Sequence, residues 1–204
     1  MVDMEDVKEL KSVLEKVEGK LIAAGKMYAA MNFAGFLAVM TLFYVILRFF
    51  NGGPAFSIAY WTAATIVVIT FTSKVWRRIV TISGIKRNSG KKIGLEIAGA
   101  WVIGAALGWV LIPSLNPGIN EEAGLAVGFL SFISVSLLGQ WAVLKKCCGA
   151  ENEMVPAFLI PALAIPLAWG MGSGAMLWAG YVVSLGFATT ILLYLHSAFK
   201  AVKR

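Results

Sequence analysis

Six long apolar stretches constrain this chain more than any other feature of its sequence. They lie at Met27–Phe50, Phe56–Ser73, Ile93–Ile112, Ala123–Leu144, Val155–Trp169 and Ala175–Phe199. A helix needs about 20 mostly apolar residues to cross the hydrocarbon core of a bilayer. These stretches are apolar on every side, whereas the strands of a membrane barrel would alternate. The sequence therefore predicts an all-α integral membrane protein, a six-transmembrane-helix bundle.

The composition agrees with this class. Apolar residues make up 59% of the 204 residues and charged residues 14%, whereas a soluble domain has about 45–50% and about 25%. A disordered chain, a collagen-like repeat and a disulfide-rich secreted module are excluded. The loops at Asn51–Pro54, Pro113–Gly118 and Gly170–Gly174 are short and rich in Gly and Pro, so the stretches should form three helical hairpins.

The basic residues predict the orientation of the six helices. Seventeen of the 18 Lys and Arg residues lie before the first stretch, after the last one, or in the second and fourth loops. Six crossings place all of these segments on one side, and cytoplasmic loops collect positive charge. We therefore expect a multi-pass protein of the plasma (inner) membrane with both termini in the cytoplasm. Residues 27–199 would form the transmembrane domain and residues 200–204 a basic tail.

Residues 1–26 predict a cytoplasmic amphipathic helix with a heptad pattern. Its apolar residues follow a 3-4-3-4-3 spacing, typical of a coiled-coil contact; they form the apolar seam, defined here as Val7, Leu10, Leu14, Val17, Leu21 and Ala24. Three uses stay open: self-association of copies of this chain, docking on a partner subunit, and packing on the chain's own cytoplasmic loops. Gly19 and Gly25 weaken the helix and favour a hinge before the first stretch.

Small residues at four-residue spacing predict close helix packing. Lipid tails are as apolar as Leu, so helices in a membrane associate through close van der Waals contact. The rows are Ala30, Ala34 and Ala38; Ala100, Gly104 and Gly108; Gly124 and Gly128; and Gly180, Ser184 and Ala188. A permeation path lined by these residues is the competing interpretation.

Pro156, Pro161 and Pro166 interrupt the fifth stretch. A proline inside a helix frees a carbonyl, and interrupted short spans often line substrate sites. We therefore treat Pro161 and Pro166 as candidate substrate-binding positions, with Gln140 as a polar neighbour. Repair of the kinks by neighbouring helices is the structural alternative.

Glu96 is the only acidic residue within an apolar stretch. Ionisable residues inside a membrane are costly and often functional, so Glu96 is a further candidate for substrate or cation binding. Lys92 lies four residues earlier, and an ion pair between the two would also explain the residue.

The second loop is strongly basic and has no acidic residue. A loop of this kind attracts anionic lipid headgroups, so the bilayer itself is an expected partner. The predicted lipid-binding residues are Lys74, Arg77, Arg78, Lys86, Arg87, Lys91 and Lys92. Topology signalling alone would also explain the loop, and we do not expect nucleic acid as a partner.

Catalytic chemistry has little support in the sequence. His196 is the only histidine and has no acidic residue near it in a span to orient it. Cys147 and Cys148 are adjacent and, with Glu151, Glu153 and His196, offer a weak alternative as a soft metal site, because their spacing is not that of known sites. We expect no enzyme activity, no catalytic residue, no metal and no cofactor.

Two functions fit these features. The first is a transport or channel component for a small solute or ion, with its path beside the fifth stretch. The second is a non-catalytic membrane scaffold or assembly subunit, in a homo-oligomer or with a partner membrane subunit. Size, six spans and the Ala30, Ala34 and Ala38 row resemble the substrate-binding subunits of energy-coupling-factor importers. The resemblance covers topology and one common motif, and no site residue is carried over from it.

Overall fold

The computed structural model describes residues 4–50, 54–82, 87–115, 118–149 and 151–203, and these ranges contain helices but no strand. Six helices are long and apolar enough to cross a membrane. They are α1 (Met4–Phe49), α2 (Pro54–Ile82), α3 (Arg87–Ala106), α4 (Glu121–Cys148), α5 (Val155–Trp169) and α6 (Ala175–Val202). A π-helical segment, Leu107–Leu111, and a helical turn, Ile112–Ser114, extend α3, and a 3₁₀ turn, Asn152–Met154, precedes α5.

The prediction of six helices is confirmed, and the bounds of α5 agree with the fifth apolar stretch. The main difference is in α1, which runs unbroken from Met4 to Phe49. The predicted hinge at Gly19 and Gly25 is therefore wrong. Gly19 packs against the backbone of Ala201, so a contact with another helix holds α1 straight where its own propensity is weakest.

The helices form a layered bundle. We call the end where Lys26 and Val202 lie the terminal end, and the opposite end the hairpin end. The core lies among α4, α5 and α6; α1 packs against α6, α3 packs against α4, and α2 packs against α1. Of the α2 side chains that the structure describes, only Ala64 and Val75 are buried.

Large apolar side chains lie on both the outside and the inside of the bundle, where Phe187 and Leu130 are buried. Large apolar side chains such as Ile58, Leu95 and Leu163 are about 70% exposed, at 70%, 75% and 68%. Hydroxyl groups, among them Ser136 and Thr190, are fully buried. Small residues inside and large apolar residues outside are typical of helices surrounded by lipid.

The predicted close packing is present between α3 and α4. A Cβ atom at Gly108 would lie 2.6 Å from the Gly128 carbonyl oxygen, and one at Gly139 would lie 2.7 Å from the Ala100 Cβ atom. Gly180 of α6 allows a similar approach of the Tyr44 ring. The first row behaves differently, because Ala30 is buried but Ala34 and Ala38 are exposed.

The hairpin end is fixed by a contact between two loops. The Asn120 side chain accepts a hydrogen bond from the Glu122 backbone N–H at the start of α4. The Glu122 carboxylate in turn accepts one from the Gly174 backbone N–H, at 2.9 Å. Gly174 has φ of 85°, a left-handed conformation that favours glycine. The turn between α5 and α6 is thereby held to the N-terminus of α4.

Substituting Gly108 with Ala should destabilise the bundle. The new methyl group would meet backbone atoms of Gly128 and Phe132, which cannot move aside as a flexible side chain could. We expect a loss of about 1–3 kcal/mol, the usual cost of overpacking, seen as a lower thermal midpoint in detergent.

Gly99→Ala is the matched control, because a Cβ at Gly99 of the same helix meets nothing within 4 Å. Alanine is the better helix former by about 1 kcal/mol, so this variant should be as stable as the parent or more so. Equal midpoints for the two variants would contradict the close α3–α4 contact.

Candidate functional site

The face of α1 that packs on α6 runs from Gly19 to Tyr44, and residues 7–18 before it are exposed. Near the terminal end, Ala23 forms a small buried cluster with Ala198 and Ala201. Towards the hairpin end, the ring of Phe33 lies 5.4 Å from that of Phe187, and the Tyr44 hydroxyl donates to the Met176 carbonyl. The rotational position of α1 is therefore fixed at both ends.

A charged cluster closes this contact at the terminal end. Lys26 of α1 lies 3.0 Å from the carboxylates of both Glu151 and Glu153, which flank the start of the 3₁₀ turn before α5. The ring of Tyr194 in α6 lies beneath the Lys26 ammonium group, whose nitrogen is 5.4 Å from the ring centroid. Three separate parts of the chain are joined here.

The cluster stabilises the charged forms of its members. Lys26 and Glu153 lie just outside the apolar stretches, which begin at Met27 and Val155. Burial opposes ionisation of Glu153, but hydrogen bonds from Ser197, from its own backbone and from Lys26, with the Lys26 charge, lower its pKa below the ordinary value. Burial likewise opposes ionisation of Lys26, but the two glutamates outweigh it and raise the pKa of Lys26. Lys26 and Glu153 are therefore charged at neutral pH.

The charged cluster contains two residues that the sequence offered as weak candidates for metal ligands. Glu151 and Glu153 were weak candidates for a metal site with Cys147, Cys148 and His196. The structure instead pairs both glutamates with Lys26, which lies 125 and 127 residues earlier. His196 is exposed on α6, and the Cys148 side chain lies outside the described residues. Sequence reasoning missed this cluster because no local spacing connects its members.

The apolar seam lies on the opposite side of α1 from α6. Val7, Leu10, Leu14, Val17 and Leu21 are exposed to between 44% and 61%. Ala23, which faces α6, is only 3% exposed. The interpretation that the seam packs on this chain's own loops therefore finds no support in the part of the chain that the structure describes.

Beyond the seam, the same side of α1 is covered by α2. The 3-4 spacing of the seam continues at Tyr28, Met31 and Gly35. Met31 is 48% exposed, whereas a Cβ at Gly35 would lie 3.5 Å from the Phe71 ring. On the same side of α1, Asn32 accepts a hydrogen bond of 2.8 Å from the Thr72 hydroxyl of α2. Within the bundle, α2 thus packs on the side of α1 that carries the seam. Nearer the N-terminus of α1, where the seam residues lie, this side is uncovered.

The candidate substrate-binding residues lie in different interfaces. Pro161 is buried between α5 and α6, where a Cβ at Gly186 would lie 3.5 Å from its ring, whereas Pro166 is exposed. Gln140 of α4 accepts a hydrogen bond of 2.9 Å from the Trp101 indole of α3. The structure therefore does not bring Gln140 and Pro161 to one surface.

Glu96 is exposed on α3. The ion pairs among the described residues are those of Lys26, so the predicted pair of Lys92 with Glu96 is not formed. Glu96 keeps its status as a candidate site, with no contact that assigns it a role.

The basic residues divide into two groups. Lys74, Arg77, Arg78, Lys91 and Lys92 are exposed; Lys86 lies outside the described residues, and Arg87 begins α3 with a side chain that is not described. Arg77 and Arg78 differ from the lysines because they line a recess of about 350 Å³ together with Tyr28 and Thr81.

Compared with protein-family models, with curated proteins and with solved structures, the chain has no match.

Substituting Lys26 with Met should weaken the attachment of α1 to α6. The variant leaves the Glu151 and Glu153 carboxylates, 21% and 16% exposed, without their cation. We expect a loss of about 1–3 kcal/mol, between the values for surface and for buried ion pairs, measured as a lower thermal midpoint. Lys16→Met is the matched control, since Lys16 is exposed and forms no ion pair with a described residue; an equal effect of both variants would contradict the cluster.

The difference between the parent and Lys26→Met should depend on pH. Because the pKa of Glu153 is lowered, this group stabilises the fold at pH values above the ordinary pKa of Glu, and the stabilisation is lost as the pH falls below that value. Because the pKa of Lys26 is raised, this group stabilises the fold at pH values below the ordinary pKa of Lys. The gap between the two midpoints should therefore be full at pH 7 and shrink below about pH 4. A gap of constant size from pH 7 to pH 3.5 would show that the contribution is packing rather than charge.

Proposed function

We propose that this chain is a six-span membrane subunit that docks a cytoplasmic partner on the apolar seam of α1. Both chain ends lie on the cytoplasmic side, and the six-helix bundle serves as the anchor. The observation that carries this proposal is the exposure of the seam on a helix that extends past the bundle without a break.

Several features support the membrane anchor. Each of the six long helices exposes large apolar side chains, and the buried positions include small residues and hydroxyl groups. Among the described residues, the basic ones other than Arg48 lie towards the terminal end, in agreement with a cytoplasmic position for that end.

The seam has the properties of a helix-binding surface. Its residues follow heptad spacing, and a row of this kind buries its side chains in the holes of a facing helix. The free energy available is substantial, because each Leu or Val fully buried contributes about 1.5–3 kcal/mol. An amphipathic helix with an apolar stripe of the same spacing is the matching partner.

The position of α2 favours a soluble partner over a second copy of this chain. Two copies in one membrane would place their α1 helices parallel, and contact along the seam would bring the helix axes to about 8–10 Å. At the level of the bundle, α2 packs on the seam side of α1, through Asn32 and Gly35, where the second α1 would have to lie. A cytoplasmic helix meets no such obstacle, because it can end below α2.

Transport of a small solute, or a channel role, stays a prediction. The described contacts of Gln140 with Trp101 and of Pro161 with Gly186 give these residues packing roles, so they do not favour it. Flux through sealed vesicles containing the purified chain, abolished by Gln140→Leu, would restore that function as the first choice.

Photo-cross-linking from the seam tests the docking proposal. A benzophenone amino acid at Leu14 in the full chain, irradiated in the native membrane, should give an adduct heavier than the chain by the mass of a different protein. The same amino acid at Ser12, exposed on the same stretch of α1 but outside the seam, should give little or none.

The mass of the adduct shows whether the molecule on the seam is a different protein or a second copy of this chain. An adduct at twice the mass of this chain, containing only its peptides, would show self-association and overturn the proposal. Equal adducts from Leu14 and Ser12 would show random encounter and would also overturn it. A combined Leu10→Gln and Val17→Gln variant should lose the heterologous adduct while keeping its thermal midpoint, since neither residue is buried.

A further inference from the structure

The contact between α1 and α2 ends in a recess at the terminal end. The hydrogen bond from Thr72 to Asn32 and the contact of Phe71 with Gly35 hold the two helices together. Just beyond this contact, Tyr28 of α1 and Arg77, Arg78 and Thr81 of α2 line about 350 Å³ of space. The recess is therefore bounded by two helices whose separation is set by specific contacts.

Three of the four residues that line the recess, Tyr28, Arg77 and Arg78, have donor groups that no described acceptor satisfies at this place. No carboxylate of a described residue lines it, and neither Arg77 nor Arg78 forms an ion pair with a described residue. The Tyr28 hydroxyl has no hydrogen-bond partner within the described ranges, whereas Thr81 donates to the Arg77 carbonyl and contributes only its oxygen. Two guanidinium groups and a phenol beside each other suit an anion with several oxygens.

The position of the recess relative to the apolar stretches indicates which anion would bind in it. Tyr28 is the second residue of the first apolar stretch, and Arg77 follows Ser73, the last residue of the second apolar stretch, by one turn. Phosphate groups of phospholipids lie at such a boundary between apolar and polar layers. Guanidinium groups bind phosphate oxygens through two parallel hydrogen bonds, which ammonium groups cannot do.

We propose that this recess is a phosphate-binding site that takes the headgroup phosphate of a membrane phospholipid. Arg77 and Arg78 bind the phosphate oxygens, and Tyr28 donates a further hydrogen bond. The lysines of the same basic segment attract anions without forming the site. This proposal is independent of docking on the seam.

Titration of the purified full chain in detergent tests the site. Dioleoyl phosphatidylglycerol should raise the thermal midpoint in a saturable manner, and dioleoylglycerol, which has the same acyl chains and no phosphate, should not. Sodium phosphate at matched ionic strength distinguishes the sources. A shift with the lipid alone assigns the headgroup; an equal shift with sodium phosphate retains the phosphate site and overturns the lipid as its source.

Paired double variants separate a site from diffuse charge. Arg77→Gln with Arg78→Gln should weaken phosphatidylglycerol binding by about tenfold or more, and Lys91→Gln with Lys92→Gln, which removes the same charge outside the recess, by about threefold or less. Tyr28→Phe should weaken it by about two- to fivefold. Equal weakening by the two double variants would overturn the proposal, as would a shift with dioleoylglycerol that equals that of the phospholipid.

A conservative variant keeps the test valid if the glutamine variant does not fold. Arg77→Lys with Arg78→Lys retains both charges and removes the two-pronged geometry, so binding should fall by about threefold or more. Binding unchanged in this variant would show that charge alone is sufficient, and the recess would then not be a phosphate site.

Discussion

The contact between α1 and α6 determines most of what the molecule can present to other molecules. It runs from Gly19 against Ala201 to Tyr44 against Gly180, and the charged cluster at Lys26 lies within it. Because this contact fixes the rotation of α1, it also determines which face of α1 remains available for contacts with α2 or with other molecules. That face meets α2 along the bundle and carries the uncovered seam beyond it.

Much of the fold could be predicted from the sequence, because the features that determine it are local and periodic. The length of each apolar stretch gives each helix, and α5 agrees with its prediction despite Pro161 and Pro166. Spacing of small residues also located a close approach of two helices, at Gly108 and Gly128. The same rule was a poor guide for Ala34 and Ala38, which are exposed, because spacing alone does not say which face has a neighbour.

The candidate site was much less predictable, since its members meet only through the fold. Lys26 and Glu151 are separated by 125 residues, and nothing near either of them indicates the other. The recess beside Tyr28 likewise requires the register of α1 against α2, and the sequence offers only a general excess of positive charge there. Gly25 shows the reverse case: a residue of low helix propensity did not break α1, because the packing on both sides of it continues the helix.

Because α1 is one unbroken helix, a force on its N-terminal part is passed along the helix to the bundle. Its 46 residues span about 69 Å at 1.5 Å per residue, and about a third of a turn separates neighbouring side chains. Residues 7–18 of α1 are exposed, so a molecule bound near Leu14 acts on the bundle through the part of α1 that begins at Gly19. The contacts that oppose turning of this part are Gly19 against Ala201, the buried Ala23 and the ion pairs of Lys26.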